Sequence, residues 1–190
     1  MLKIDRSKDS RVIKAITQRI MDIPGGVTVS VATLGGASLK EGTPIGAPAT
    51  DTGLCKVVKT AKFAANAAND ALSYDIEKGS HFKVGDYIST GAANGKAIAT
   101  LDKTSSALVD TFTVAVTLGV AVTAGDVAIQ VTGANKTLAV SPVAIVGSNY
   151  NVTAAETLAV DAWQIAQVKE ASAPPMTTTL KALLLGVFYI

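Results

Sequence analysis

The sequence predicts a mainly β fold: a central small β-barrel or sandwich, with an N-terminal amphipathic helix before it and a short C-terminal helix-strand after it. Two observations carry the β assignment. From Val27 onward, short apolar runs recur between Gly, Asp and Pro turn signals. Hydrophobic residues make up 48% of the 190 residues while aromatics make up only 5%. The apolar content is therefore mostly Ala, Val, Leu and Ile, and small or β-branched side chains suit packed sheets. A third observation sets the ends apart, because helical spacing occurs only there.

Residues 8–22, KDSRVIKAITQRIMD, place Val12, Ile13, Ile16 and Ile20 on one helical face. Ser10 stands at the N-cap and Pro24-Gly25-Gly26 stops the helix. Residues 1–24 thus read as a helical arm and residues 25–190 as a β-rich domain. Lys8, Arg11, Lys14 and Arg19 decorate the arm. One reading makes them the solvated face of a core-packing helix. The sharper one makes Arg11, Lys14 and Arg19 docking contacts on another protein.

VTVSVATL, residues 27–34, reads as a strand. GGASLKEGTPIGAPATDTG is dense in turn residues and predicts a loop or short strands. LCKVVKTAKF, residues 54–63, reads as another strand, with Cys55 as a small buried hydrophobe. A barrel-like section follows over about 64–146, in which SYDIEKG, HFKVGDYI, KAIATLD, DTFTVAVTL and VAIQV succeed one another. Two of its turns echo each other. Phe82-Lys83-Val84-Gly85-Asp86-Tyr87-Ile88 resembles Val122-Thr123-Ala124-Gly125-Asp126-Val127-Ala128. Gly supplies positive φ and Asp closes an Asx-type turn, so each predicts a turn feeding a strand.

LAVDAWQIAQVKEA, residues 158–171, predicts a long strand that carries Trp163. Pro174-Pro175 breaks it. MTTTLKALLLG predicts a short helix capped by Thr177 or Thr178, with Gly186 just past its end. VFYI is a last apolar strand that needs a sheet, its own or a neighbour's. Strands within 158–190 close the fold.

Most catalytic chemistry lacks its residues. His81 is the only histidine and Cys55 the only cysteine. No intrachain disulfide can form, and a Ser-His-Asp or Cys-His pair could run only through His81. Two such residues fall short of a structural zinc site. No Walker loop or GxGxxG occurs. Asp51-Thr52-Gly53 matches the aspartic-protease tripeptide, but that chemistry needs two aspartates sharing a proton and no second copy exists. A turn is the better reading. Val84-Gly85-Asp86 followed by Leu101-Asp102-Lys103 mimics a lipoyl or biotinyl carrier, but TSSALVD after Lys103 departs from that pattern. No catalytic, metal or cofactor-binding residue is assigned, and the expectation is a protein that is not an enzyme.

Net charge is +2, from 17 basic and 15 acidic residues. That offers no clustered excess for nucleic acid. Charges recur through MLKIDRSKDSR, so no signal-peptide apolar region is found there. The uncharged stretch between Asp110 and Asp126 is too short for a membrane-spanning helix. A soluble protein with neither a membrane nor a nucleic-acid partner is expected. Charged residues are 17%, which fits apolar surface buried between subunits.

The runs VVKTAKF, SYDIEKGSHFKVGDYI and AIATLDKTSSALVDTFTVAVTLGVAVTAGDVAIQV resemble the phage head fibre proteins found mostly in phages and prophages of Bacteroidetes. GTPIGAP, PVAIVGSNYNV, WQIAQVKEASAPP and LKALLLGVFYI are similar to the same family. The resemblance runs from about Gly25 onward and is strongest in KGSHFKVGDYI and TVAVTLGVAVTAGDV. It implies a capsid decoration role on the virion, with assembly in the host cytoplasm, and supplies no catalytic residues. The partners it implies are further copies of the chain and the phage major capsid protein. A homotrimer matches a lattice with three-fold and six-fold sites. The alternative is a host-surface or glycan-binding module of a phage tail or baseplate, for which Tyr74, Tyr87 and Tyr150 are the candidate contacts, although each also suits core packing.

Overall fold

The computed structural model describes residues 14–152 and 157–190. In chain order the strands are β1 (Ile16–Asp22), β2 (Val27–Ser30), β3 (Ser38–Leu39), β4 (Pro44–Gly46), β5 (Thr60–Lys62), β6 (Ser73–Glu77), β7 (Tyr87–Ser89) and β8 (Lys96–Asp102). They continue with β9 (Val109–Val114), β10 (Val127–Val131), β11 (Pro142–Val146), β12 (Tyr150–Asn151), β13 (Thr157–Val160), β14 (Ala162–Val168) and β15 (Val187–Tyr189). One α-helix, α1 (Thr178–Leu183), precedes β15. The fold is mainly β, as the alternating runs require.

Two sheets dominate. One is antiparallel in the order β5-β10-β7-β8-β9-β6. Its end strands meet at a single bridge, Phe63 to Ile76, with Ala64 N–H donating to Asp75 O at 2.8 Å. The sheet therefore curls around its own core, but one bridge is not a ladder and the barrel is not closed. Phe63, Tyr74, Phe82, Ile88, Ile98 and Phe112 fill the curl. In β9 the alternation is clean: Asp110, Phe112 and Val114 point in, and Thr111 and Thr113 point out. Tyr74 and Phe112 stack at 5.3 Å between ring centroids, and the Tyr74 hydroxyl donates to Ala71 O at 2.7 Å.

The second sheet runs β1-β14-β11-β4, with β15 parallel alongside β14. The two sheets pack together in a sandwich-like way through β10. Ala128 belongs to the core inside the curl, while Ile129 and Val131 face the other way onto Ala166, Val168 and Leu180. A strand packed on both faces is mostly apolar, which explains the run VAIQV, whose Gln130 donates to Asp86. A third core cluster, including Val29, Leu39, Ile45, Cys55 and Val146, lies beneath the small pairs β2-β13 and β3-β12.

Several expectations need correction. The helix expected over residues 8–22 is a strand from Ile16 to Asp22, paired antiparallel with β14. Register shifts interrupt this ladder at Ile16/Gln18, Arg19/Met21 and Met21/Asp22. They remove the two-residue alternation, so the apolar spacing mimics a helix. Pairing with β14 overrides a weak local preference. Residues 8–13, with Ser10 and Arg11, lie outside the described residues. The barrel-like section is also shorter than 64–146: the curled sheet ends at Val131, and β11 belongs to the second sheet. LCKVVKTAKF is extended but is not one strand. Cys55 bridges Val29, Val57 bridges Ile45, and only Thr60–Lys62 joins β10, so the segment crosses from one sheet system to the other.

The run through Trp163 breaks at Asp161. β13 pairs with β2 before the break, and β14 pairs with β1 and β11 after it. The C-terminal expectations hold. Thr177 caps α1, accepting from Leu180 N–H at 3.2 Å, and β15 adds to the chain's own sheet.

The echoed turns are built alike. Gly85 and Gly125 have φ of +89° and +98°. Asp86 accepts from Lys83 N–H and Asp126 from Thr123 N–H, both at 2.8 Å. They launch β7 and β10, which pair with each other antiparallel.

Candidate functional site

Of the expected docking residues, Lys14 and Arg19 are described. Arg11 lies outside the described residues. Lys14 is exposed just before β1. Arg19 sits within β1, where its guanidinium donates to Glu41 Oε1 at 3.1 Å and to Gly147 O. It also lies over the Trp163 ring, 5.4 Å from the centroid. Glu41, only 5% exposed, accepts from Ala15 N–H at 2.8 Å through its other oxygen. Arg19 thus fastens β1 to the body of the fold. The aromatic candidates are likewise engaged. Tyr74 is core, Tyr87 is half-buried against the inter-sheet core, and the Tyr150 hydroxyl donates to Asp161 Oδ1 at 2.6 Å.

Two surface features stand out. The first is a basic cleft where the curled sheet meets the loop after β2. Lysines flanking the ends of its strands hold that loop by its carbonyls. Lys59 Nζ donates to Thr33 O at 2.8 Å, Lys83 Nζ to Ala32 O at 2.8 Å, and Lys103 Nζ to Gly35 O at 3.0 Å. Lys59 is 3% exposed and pairs with Asp86 at 2.7 Å. Burial pushes its ammonium pKa down, and Asp86 opposes that shift. Lys78 pairs with the fully buried Asp110 at 3.0 Å. His81 Nδ1 accepts from Gly36 N–H at 3.3 Å. Its pKa is pushed down to about 4, chiefly by burial and then by Lys103, Lys59 and Lys40.

Beside this latch, Lys40, Lys62, Lys78, Ser80 and His81 line a cleft with a cavity volume of about 60 Å³. Pro174, Pro175, Val58 and Ala61 form its apolar wall. The sequence reading missed this cluster. Its signal was Lys59, a charge inside the apolar run VVKTA, since a lysine there must find a partner.

The second feature is an apolar face on the second sheet. Met21, Val143, Ile165, Leu183 and Leu185 line a shallow groove, with Leu185 91% exposed. Phe188 and Ile190 are exposed on and beyond the neighbouring β15.

The decoys resolve simply. Asp51-Thr52-Gly53 is an exposed turn with Gly53 at φ +68°. Cys55 is buried among Val29 and Leu39, and burial raises its thiol pKa. Lys103 is bound to Gly35 O and Ser80 O rather than held out on a hairpin. Among the described residues no cluster of three His, Cys, Asp or Glu could hold a metal ion, and no helix is long and apolar enough to cross a membrane. No family model, no curated protein and no solved structure matches the chain.

Proposed function

We propose that this chain is a structural virion protein, a head fibre or capsid decoration subunit that assembles as a homo-oligomer on the phage major capsid protein. The observation that carries the assembly half is the apolar face of the second sheet. Large exposed apolar patches mark interaction sites on soluble proteins. Here Met21, Val143, Leu183 and Leu185 stand together on one surface. The virion half is supported by the resemblance of KGSHFKVGDYI and TVAVTLGVAVTAGDV to head fibre proteins. The trimer follows from the symmetry of capsid sites. The test has two parts. Light scattering of the purified chain is expected to give a trimer mass, and a monomer at every concentration overturns the assembly reading. Co-sedimentation with heads lacking the protein is expected to recover it on the capsid, and no recovery overturns the virion reading.

The second reading, a host-surface or glycan-binding module of a tail or baseplate, draws its support from the basic cleft. The engaged state of Tyr74 and Tyr150 counts against an aromatic sugar platform.

A further inference from the structure

We propose that the cleft between Lys40, Lys62, Ser80 and His81 binds a single small oxyanion, a sulfate or phosphate group. This stands whether or not the virion reading holds.

Charge is the first ground. In and around the cleft are six lysines, Lys40, Lys59, Lys62, Lys78, Lys83 and Lys103, against three carboxylates, Glu77, Asp86 and Asp110. Two of the carboxylates are committed, Asp86 to Lys59 and Asp110 to Lys78. Among the described residues Lys40 and Lys62 have no ion-pair partner, so their charge is available to a ligand.

An unmet hydrogen-bond donor is the second ground, independent of the first. Ser80 lines the cleft, is only 6% exposed, and its Oγ has no partner among the described residues. A buried hydroxyl without a partner calls for a bound water or ion. His81 borders the site as a reporter: its Nδ1 accepts from Gly36 N–H and its ring N–H is held by the backbone of Ser38.

The donor set also selects the ligand. It contains ammonium groups and a hydroxyl, with no arginine fork to match a planar carboxylate. Separate point donors suit a tetrahedral group whose oxygens accept in several directions. A cavity volume of about 60 Å³ holds a few waters or one such group. The apolar wall of Pro174, Pro175 and Val58 lowers the local dielectric and strengthens each contact.

The sole histidine makes the test direct. In the intact chain the only imidazole C–H signals are those of His81. They are followed by NMR while sodium sulfate is titrated at pH 7 and constant ionic strength, with chloride as the balancing anion. A saturable shift is expected, together with an upward move of the His81 titration midpoint in sulfate. Lys62→Ala and Ser80→Ala are each expected to weaken sulfate binding about tenfold. Circular dichroism confirms that each variant is folded, and the exposed Lys40→Ala serves if Ser80→Ala is not. Glucose 6-sulfate and glucose 6-phosphate as separate probes then distinguish a sulfated from a phosphorylated source. A shift that fails to saturate, or one that persists unchanged in Lys40→Ala and Lys62→Ala, overturns the site and leaves a cleft filled by water.

Discussion

Lys59 and Asp86 form the ion pair on which the latch turns, 2.7 Å apart with Lys59 almost fully buried. Asp86 also closes its own turn through Lys83 N–H and accepts from Gln130 Nε2 at 2.9 Å. Its twin, Asp126, accepts from Thr123 N–H in the same manner but pairs with no lysine among the described residues. Removing one partner of a buried pair strands the other charge. Asp86→Ala is therefore expected to cost about 3–5 kcal/mol. Asp126→Ala, which loses only the turn bond, should cost about 1 kcal/mol. Urea unfolding of the two variants side by side checks the difference, and equal costs would show that the latch contributes nothing.

His81 makes stability depend on pH in a defined window. Its folded pKa of about 4 lies below the ordinary 6.5, because burial and the surrounding lysines oppose the charged ring. Between those values the unfolded chain binds more protons than the folded one. Stability from this group is complete above about pH 6.5 and is lost as pH falls towards 4. At roughly 1.4 kcal/mol per unit, the loss is roughly 3 kcal/mol. His81→Gln has no such titration, so the gap between wild-type and variant unfolding free energies should change across this window. A constant gap between pH 7 and 4 would sink the assignment.

Strand grammar was legible wherever alternation survived. β6, β9 and β10 follow from SYDIE, VDTFTV and VAIQV because one or both faces are buried in register. The Gly-Asp turns were legible because positive φ leaves a residue signature. β1 was not, since bulges hide its alternation and only Ile16 is buried. The latch was hidden for a different reason. Lys59, Lys83 and Lys103 are far apart in sequence, and only sheet pairing brings them to one loop. Charge at a strand end reads as solvated surface until a carbonyl is seen within its reach.

Arg19 is predicted to matter for folding, whereas Arg11 and Lys14 are predicted to matter for docking. Arg19→Ala leaves Glu41 with a single partner and Gly147 O without its guanidinium donor. The expected cost is about 1–3 kcal/mol, with faster amide exchange along β1. Arg19→Lys should restore little of it, because an ammonium lacks the fork that reaches both acceptors from above Trp163. Arg11→Ala with Lys14→Ala should weaken binding to heads. Normal head binding by that double variant would remove these two residues from the docking proposal.

Leu185 tests what the apolar face is for. At 91% exposure it contributes almost nothing to the chain's own core, so its replacement is nearly free in an isolated subunit. Val143, 42% exposed on β11, lies across the same groove. If the face is a subunit contact, Leu185→Glu buries an unpaired carboxylate at the interface in every copy, a cost of several kcal/mol per site. Leu185→Glu and Val143→Glu are therefore expected to shift the protein to monomer in light scattering. The unfolding free energy of that monomer should stay within about 0.5 kcal/mol of the wild-type subunit, as for any surface substitution. Wild-type mass in both variants would mean that the subunits meet elsewhere. The bulged outer edge of β1 would then be the next surface to test, because among the described residues only β14 pairs with it, on its other side.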